Sequence, residues 1–364
     1  MAAEFPTPPV PVVRTVEWLR NLLARIHRKT VPAPIALMEM VQASMLAQAV
    51  YAAAELGIAD ALADRPLSIE DLAAKVEANP DALQRLLRPL RSAGIFRRRP
   101  DGTYQLTPLA QPLRADADVS MRDPIRFLLG AVERNHWSHL PDAVRTGEAV
   151  VPALDGMPFF EFTSANEEYG QLFHSAMTST SALALAPTLA TYDFSRYRTI
   201  VDVAGGHGSL LAELLNRNPD SRGVLFDLPE VVKDAEELLR DKGVGDRCRV
   251  EGGSFFDTVP EGGDAYVLKH IVHDWPEEQA EQILRTVRRA MTDDARLLLI
   301  EIVLPEDSRP TFGNLLDLQM LLSVGGRERT EREYRELLAR CGFELVRRVG
   351  TVTLDSVLEF KPVT

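Results

Sequence analysis

The sequence predicts an α/β protein: a doubly wound sheet of five parallel strands with an antiparallel edge pair, preceded by an all-helical domain. Three observations predict it. Past Arg196 short apolar runs alternate with helical stretches, the pattern of βαβ units, whereas the first half keeps the 3.6-residue period of helices. A glycine-rich turn, 204 to 208, closes the first apolar run where a strand would pass into a helix. Length agrees, since 364 residues with 45% apolar content can fill more than one core.

Bulk properties narrow the function classes. A formal net charge of −12 disfavours nucleic acid and anionic membranes unless a local basic patch overcomes it, and so leans towards a small-molecule partner. Cys248 and Cys341 are the only cysteines, too few for a disulfide framework or a cysteine metal site; a reducing cytoplasm and no metal are expected. Without an uninterrupted run of about 18 apolar residues, no membrane span is expected. Pro6, Pro8, Pro9 and Pro11 stand where a signal peptide needs an apolar stretch.

Taken in order, residues 1–32 read as a proline-rich arm, poorly ordered over 1–12, and an amphipathic helix from Val13 to Thr30. Its apolar face suits a membrane surface or a partner, but packing on its own protein or a dimer mate is the simpler reading. Residues 33–118 form a helical dimerisation domain. Its opening, Ala33 to Ala63, is apolar all round, and a second copy is the natural cover. Ser68 and Asn79 are N-caps for two short helices ending at Gly94, and Asp101-Gly102 is read as a two-residue hairpin turn. Helix, helix, hairpin is a winged helix, and Arg85, Arg88 and Arg91 on its second helix keep a DNA-binding regulator as a rival reading. Residues 119–195 are linking helices whose aromatic and methionine side chains line a substrate pocket, with Phe127, Trp137, Phe173 and Met177 as candidates. Residues 196–364 carry the sheet, with strands over 199–204, 222–226, 247–251, 264–269 and 296–303, then an edge pair over 343–349 and 354–360.

The chemistry falls at the strand ends, where open α/β sheets bind ligands. Gly206 and Gly208 open a dinucleotide fingerprint, but its third small residue is Leu211, which argues against a pyrophosphate and against a NAD-dependent oxidoreductase. The backbone amides of Gly205 to Gly208 suit a carboxylate, and Asp202 either orders the loop or takes an ammonium group. Asp227, about 20 residues on, is placed for a ribose diol, with Leu228 beside it. The loop Ser254, Phe255, Phe256 offers apolar faces to sandwich an adenine. A ligand with carboxylate, ammonium, ribose and adenine but no phosphate is S-adenosylmethionine.

At these residues the chain resembles the small-molecule O-methyltransferase family that includes plant caffeate-type enzymes and bacterial polyketide and carotenoid methyltransferases. The motifs appear in order: VDVAGGHG (201–208), LFDLPEVV (225–232), GGSFFD (252–257), LKHIVHDWPEE (268–278), IEIVLP (300–305) and GGRERTEREY (325–334). The resemblance implies a class I methyltransferase, Rossmann-like sheet behind a dimerising winged-helix domain, over residues 33–362. It implies His273 as general base, preferred to His270 by the His-Asp-Trp pattern, with Glu301 and Glu328 around it and Lys269 and Asp227 on the cofactor. Asp274, Met320 and Leu321 complete the implied acceptor pocket. Ala204 and Ser254 depart from the family pattern of a glycine and an acidic residue. In-line methyl transfer to a hydroxyl, phenolic in chemistry, is the expected reaction; hydroxylation or decarboxylation by a cofactor-retaining relative is the alternative.

Overall fold

The computed structural model describes residues 10–363 with Ser308 apart, so the arm expected over 1–12 lies, up to residue 9, outside the described residues. The chain divides into two units, one holding Thr15–Leu140 and Leu154–Leu183, the other residues 10–14, Pro141–Ala153 and residues 184–363.

The leading helix is Val10–Lys29, its first five residues counted with the second unit and the rest with the first, so it starts earlier than the proline-rich composition suggested. Val10 and Val13 are half-buried, whereas Val12, Val16, Leu19, Leu23 and Ile26 are all exposed. The next helix, Ala33–Glu55, is exposed along Ile35, Leu37, Met38, Met40, Val41 and Met45. By length and composition it is apolar enough to cross a bilayer. A count of uninterrupted apolar residues missed this, because Glu39, Gln42 and Gln48 punctuate the run.

The helix, helix, hairpin succession is present. Ser68 Oγ accepts from Asp71 N (3.0 Å) to start Ile69–Lys75, and Asn79 Oδ1 accepts from Ala82 N (3.1 Å) to start Pro80–Ser92. Leu72, Leu83, Leu87 and Leu90 bury against Phe96 and Tyr104 of the hairpin formed by β1 (Phe96–Arg98) and β2 (Tyr104–Leu106). The turn differs from the two-residue form. Arg99 N donates to Thr103 O and Gly102 N to Arg99 O, so three residues, Pro100, Asp101 and Gly102, make the loop. Pro100 presets the first turn position, and only Gly102 (φ +89°) is left-handed, whereas the tighter turn would need Asp101 there too. Further on, Phe127, Phe159, Tyr169 and Phe173 interlock with ring centroids 5.3–6.4 Å apart.

The second unit is built on β3 (Thr199–Val203), β4 (Arg222–Asp227), β5 (Cys248–Gly252), β6 (Ala265–Lys269), β7 (Arg296–Leu304), β8 (Arg329–Thr330), β9 (Phe343–Gly350) and β10 (Asp355–Pro362). The main sheet runs β5-β4-β3-β6-β7-β10-β9; the first five are parallel, and β10 is antiparallel to both neighbours. This is the expected α/β sheet with its antiparallel edge pair. The two-residue periodicity of the strands divides the core: Leu297 and Leu299 pack with Ile283, Leu284 and Leu337, while Leu298 and Ile300 pack with Leu211, Leu214 and Leu239.

One length mismatch positions the site. β6 pairs with β7 only as far as Lys269↔Ile300, and residues 301–304 of β7 run on beyond it. That overhang receives β8 in parallel register, Val303↔Arg329 and Leu304↔Thr330. Residues just past β6 and just before β8 are thereby drawn together around Glu301.

Leu358, fully buried on β10 between β7 and β9, tests how far the sheet depends on its antiparallel insertion. Leu358→Ala is expected to cost about 2–5 kcal/mol, read as a lower denaturant midpoint with an unchanged slope.

Candidate active site

The glycine turn is shaped by close approach. A Cβ on Gly205 would fall 2.6 Å from the Asp202 carboxylate and 2.6 Å from Leu225, so only glycine passes over this aspartate. Gly206 (φ +59°) donates its N–H to Asp227 Oδ2 at 2.8 Å, and its Cβ direction is open for 4 Å. Gly208 (φ +85°) is the N-cap of the helix Ser209–Arg217. Ala204 also sits in the left-handed region (φ +57°), where a side chain costs roughly 1 kcal/mol. The departure from glycine there is therefore a strained substitution, not a neutral one.

A zwitterionic adenosyl ligand fits this cradle. Asp227 accepts from Leu228 N (2.7 Å) and Gly206 N, which fixes the carboxylate while leaving further lone pairs for a diol. Asp202 is buried, and its Oδ2 lacks a hydrogen-bond partner. Burial, and then the Asp227 charge, push its carboxyl up to about 7 against the pull of Lys269. Its position under Gly205 favours loop ordering over direct contact. Gly253 packs on the Phe226 ring, where a Cβ would come within 2.8 Å. The adenine sandwich is not formed: the Phe255 and Phe256 rings lie 4.9 Å apart and edge-on at 67°, and both meet Trp275 edge-on. Each ring fills the space that a base between them would need. Ser254 Oγ accepts from Phe256 N (3.2 Å), a turn bond that an acidic residue could also make.

At the end of β6 the chain turns sharply, with His270 left-handed (φ +53°). His270 Nε2 bonds Asp355 Oδ1 at 2.9 Å, and its Nδ1 lies 3.5 Å from Lys269 Nζ. Burial, then the Lys269 ammonium, lower the His270 pKa. Burial alone would raise Asp355, but His270 and Lys269 hold it below the usual carboxylate range.

His273 has the opposite surroundings. Its Nδ1 is 2.7 Å from Glu328 Oε1 and 3.8 Å from Glu301 Oε2, and its Nε2 is 3.3 Å from Asp274 Oδ1. Burial opposes the charged ring, yet Asp274, Glu301 and Glu328 together carry its pKa up to about 10. Burial raises Glu301 to about 7 and Asp274 to about 6. The imidazole is therefore the proton-holding member, bonded at Nδ1 and turning Nε2 to Asp274. His273, Glu301 and Glu328 also present donor atoms within 4.8 Å of one another, the spacing of a possible cation site. The 2.7 Å bond between His273 and Glu328 uses two of those atoms.

Each carboxylate is placed by backbone. Glu301, the first overhanging residue of β7, accepts from Ile271 N (3.2 Å) and Val272 N (2.9 Å) through Oε1. Glu328 precedes β8, and its own N–H donates to Asp317 (2.9 Å) on the helix Gly313–Ser323. Sequence reasoning missed Asp317 and Asp355, as well as Arg329. Arg329 is buried, donates to Val272 O (3.1 Å) and pairs with Glu277 (2.9 Å) over the Tyr334 ring. The ERT of residues 328–330 was the only signal for it. Gly326 was also overlooked: its missing Cβ would lie 2.0 Å from His273 O, so this glycine lets the loop press on the 273–275 backbone.

The acceptor candidates divide between the units. Phe127 and Phe173 touch in the first (5.4 Å), but Phe127 is only 5% exposed and is core to its ring cluster; Trp137 is half-buried and Met177 exposed. Asp274, Met320 and Leu321 are half-buried in the second, the last two on the helix Gly313–Ser323.

Residues 137–344 match the model of the O-methyltransferase domain, and residues 38–116 that of the O-methyltransferase dimerisation domain. The chain is 39% identical to the phenazine O-methyltransferase PhzM of Lysobacter antibioticus, over 92% of this chain and 97% of that protein. It is 42% identical to the O-demethylpuromycin-O-methyltransferase of Streptomyces alboniger, over 85% and 84%. The structure of human N-acetylserotonin methyltransferase in complex with S-adenosylmethionine superposes with a TM-score of 0.83 at 27% identity, covering 92% of this chain and 99% of that one.

Two outcomes follow from the cluster. Gly326→Ala should push the 325–328 loop off His273, lowering stability by about 1–3 kcal/mol and lengthening the bond between His273 and Glu328 in a crystal structure. Stability should also fall as pH rises: His273 binds its proton up to about 10 when folded but only to about 6.5 when unfolded, so its contribution is complete below 6.5 and lost through 10. Glu301, raised to about 7, slopes the same way at lower pH. Melting temperatures across pH 6.5–10 should drop less in His273→Gln than in the natural protein.

Proposed function

The chain belongs to the small-molecule O-methyltransferase family, whose members are S-adenosylmethionine-dependent enzymes, and on that premise we propose that it methylates a phenolic hydroxyl with His273 as general base. The observation that carries this reading is the placement of His273: Glu328 engages its Nδ1 at 2.7 Å and Glu301 faces that nitrogen from 3.8 Å, which fixes the ring with Nε2 on the opposite side. The neutral imidazole that takes a proton there becomes an imidazolium that both carboxylates stabilise.

The bound cofactor supplies an electrophilic methyl group on a sulfonium. Gly205, Gly206 and Gly208 shape the turn that receives it, their own N–H groups being bonded to Phe226 O, Asp227 Oδ2 and Gly205 O. Asp227 gives a fixed carboxylate for the ribose hydroxyls, and one face of the Phe255–Phe256 pair takes the adenine. Asp202 shapes that loop from beneath. Lys269 joins the loop's electrostatics to the base, since Asp355, Asp202 and Glu301 are its principal charged neighbours.

On the acceptor side, Glu328 and Glu301 hold the imidazole by Nδ1 and stabilise it once protonated. The acceptor hydroxyl takes the place of Asp274 at Nε2, and its proton passes to that nitrogen as the oxygen attacks. His270 is the poorer base, because both of its ring nitrogens are engaged and its pKa is lowered. Met320 and Leu321, in the same unit as His273, supply apolar lining for an aromatic or polyketide-like acceptor, the kind of compound that the names of the phenazine and puromycin relatives give for those proteins. The exposed apolar residues of Ala33–Glu55 and the dimerisation-domain match support a homodimer. Two unpaired cysteines support a cytoplasmic enzyme.

The test is His273→Ala assayed with S-adenosylmethionine against a panel of phenols, quinones and flavonoids, read by product mass. Turnover should fall by about 10²–10⁴-fold while cofactor binding by calorimetry is kept. Wild-type turnover in the variant would remove His273 from the role. A product gaining oxygen or losing carbon dioxide, in place of a methyl increment, would replace methyl transfer by one of the alternatives.

A further inference from the structure

His270 and Asp355 form a pair that methyl transfer as derived above does not use, and they sit at one end of a row of charges. Strand alternation puts Asp202 of β3, Lys269 of β6 and Asp355 of β10 on one face of the sheet, each two residues from Ile200, Val267 or Val357, which pack together there. Glu301 turns to the other face with Leu297 and Leu299. In the strand order β3-β6-β7-β10, Lys269 has an acid on either side. Asp355, Asp202 and Glu301 are its principal charged neighbours.

His270 breaks the alternation. Residue 269 already points to that face, so regular strand geometry would carry residue 270 to the opposite one; its left-handed turn (φ +53°) brings the ring back to Asp355, with Nε2 2.9 Å from Oδ1. Backbone of that kind persists only where its surroundings hold it. Here the His270 N–H donates to Ile300 O at 3.0 Å, and Asp355 is pinned by Thr351, whose N–H and hydroxyl both donate to Asp355 O.

The protons on this pair follow from its partners. Asp355 is ionised, held so by His270 and Lys269 against its burial, and can only accept. The ring is neutral, because burial and then the Lys269 ammonium oppose its charge. Its single proton therefore lies on Nε2, and Nδ1 presents a lone pair to Lys269 Nζ, 3.5 Å away. Lys269, His270 and Asp355 form one directed series, donor to acceptor, from the ammonium to the carboxylate.

We propose that His270 and Asp355 are positioning residues for S-adenosylmethionine, acting through Lys269: Asp355 fixes the ring, and Nδ1 holds the ammonium on the face it shares with Asp202, turned to an oxygen acceptor of the cofactor. This rests on the reading of Lys269 as a cofactor contact. Without the ring, the ammonium would turn to Asp355 and pair with it directly, away from the glycine turn. The imidazole keeps those two charges apart while bonding to both, a task distinct from that of a base.

The experiment is calorimetry of the full chain with S-adenosylmethionine, for Lys269→Met, His270→Gln and the two combined, together with melting temperatures. Glutamine keeps a donor for Asp355 and loses the acceptor for Lys269. His270→Gln should therefore keep its melting temperature yet bind the cofactor about tenfold more weakly, the loss of about one hydrogen bond. In the Lys269→Met background the same substitution should weaken binding no further. A second readout needs no cofactor: nitrogen resonances of the histidine-labelled protein, with His270 identified by its absence in His270→Asn. They should show a proton on Nε2 and none on Nδ1 at neutral pH, with the Nδ1 resonance moving in Lys269→Met, and they decide alone if His270→Gln does not fold. The inference is overturned by a proton on Nδ1, by natural cofactor affinity in His270→Gln, or by additive losses in the combined variant. Natural affinity in Lys269→Met would remove the cofactor role of Lys269 itself, and the inference with it.

Discussion

The second unit depends on one buried constraint: the carboxylate of Glu301, fully enclosed at the end of β7, must be satisfied. A carboxylate in such surroundings is costly unless donors surround it. Oε1 finds them in the N–H groups of Ile271 and Val272, which ties the 270–273 turn to the strand. Oε2 has no hydrogen-bond partner and faces His273 Nδ1 from 3.8 Å. Glu328 brings a second carboxylate to the same nitrogen, again with one oxygen unpartnered. Two acids and one imidazole thus share a dry space in which the imidazolium is the inexpensive way to neutralise charge. The high basicity of His273 is a consequence of the fold, not of the histidine alone.

The overhang of β7 explains why these residues meet although they lie 27 and 28 residues apart in sequence. β6 stops, β7 continues, and β8 fills the vacated edge. Arg329 then holds the arrangement from the other side by donating to Val272 O while pairing with Glu277 at the start of the helix Glu277–Ala290. Gly326 allows the two loops to touch along their backbones, with Arg327 N donating to His273 O at 2.8 Å. Positioning is therefore distributed over β7, β8 and a helix start, all anchored in the buried sheet.

The sheet was legible because its signals are local: apolar runs of strand length, a glycine turn, a hairpin-like end. The chemistry at the strand ends was legible for the same reason, and His273, Glu301 and Glu328 do converge. What escaped sequence reasoning were features of tertiary register. Nothing near Asp355 says that β10 will lie beside β7 and present it to His270, because that pairing joins residues 85 apart. The edge-on packing of Phe255, Phe256 and Trp275 depends on a turn whose geometry the letters SFFD do not carry. Pro100 was visible but underweighted: it sets a three-residue loop where Asp-Gly alone suggests two. Ala204 is visible as a departure from the family's glycine, but only its left-handed conformation reveals the local cost.

The two histidines show how the same strand end separates two acid–base environments within a ring spacing of 5.4 Å. His270 is paired with one carboxylate and crowded by a lysine; His273 is surrounded by three carboxylates. One is pushed down and the other up. This asymmetry separates two roles at one strand end: the carboxylates around His273 favour the charge it gains on taking a proton, and Glu301 and Glu328 orient the ring as they do so, whereas His270 is tied up between Asp355 and Lys269.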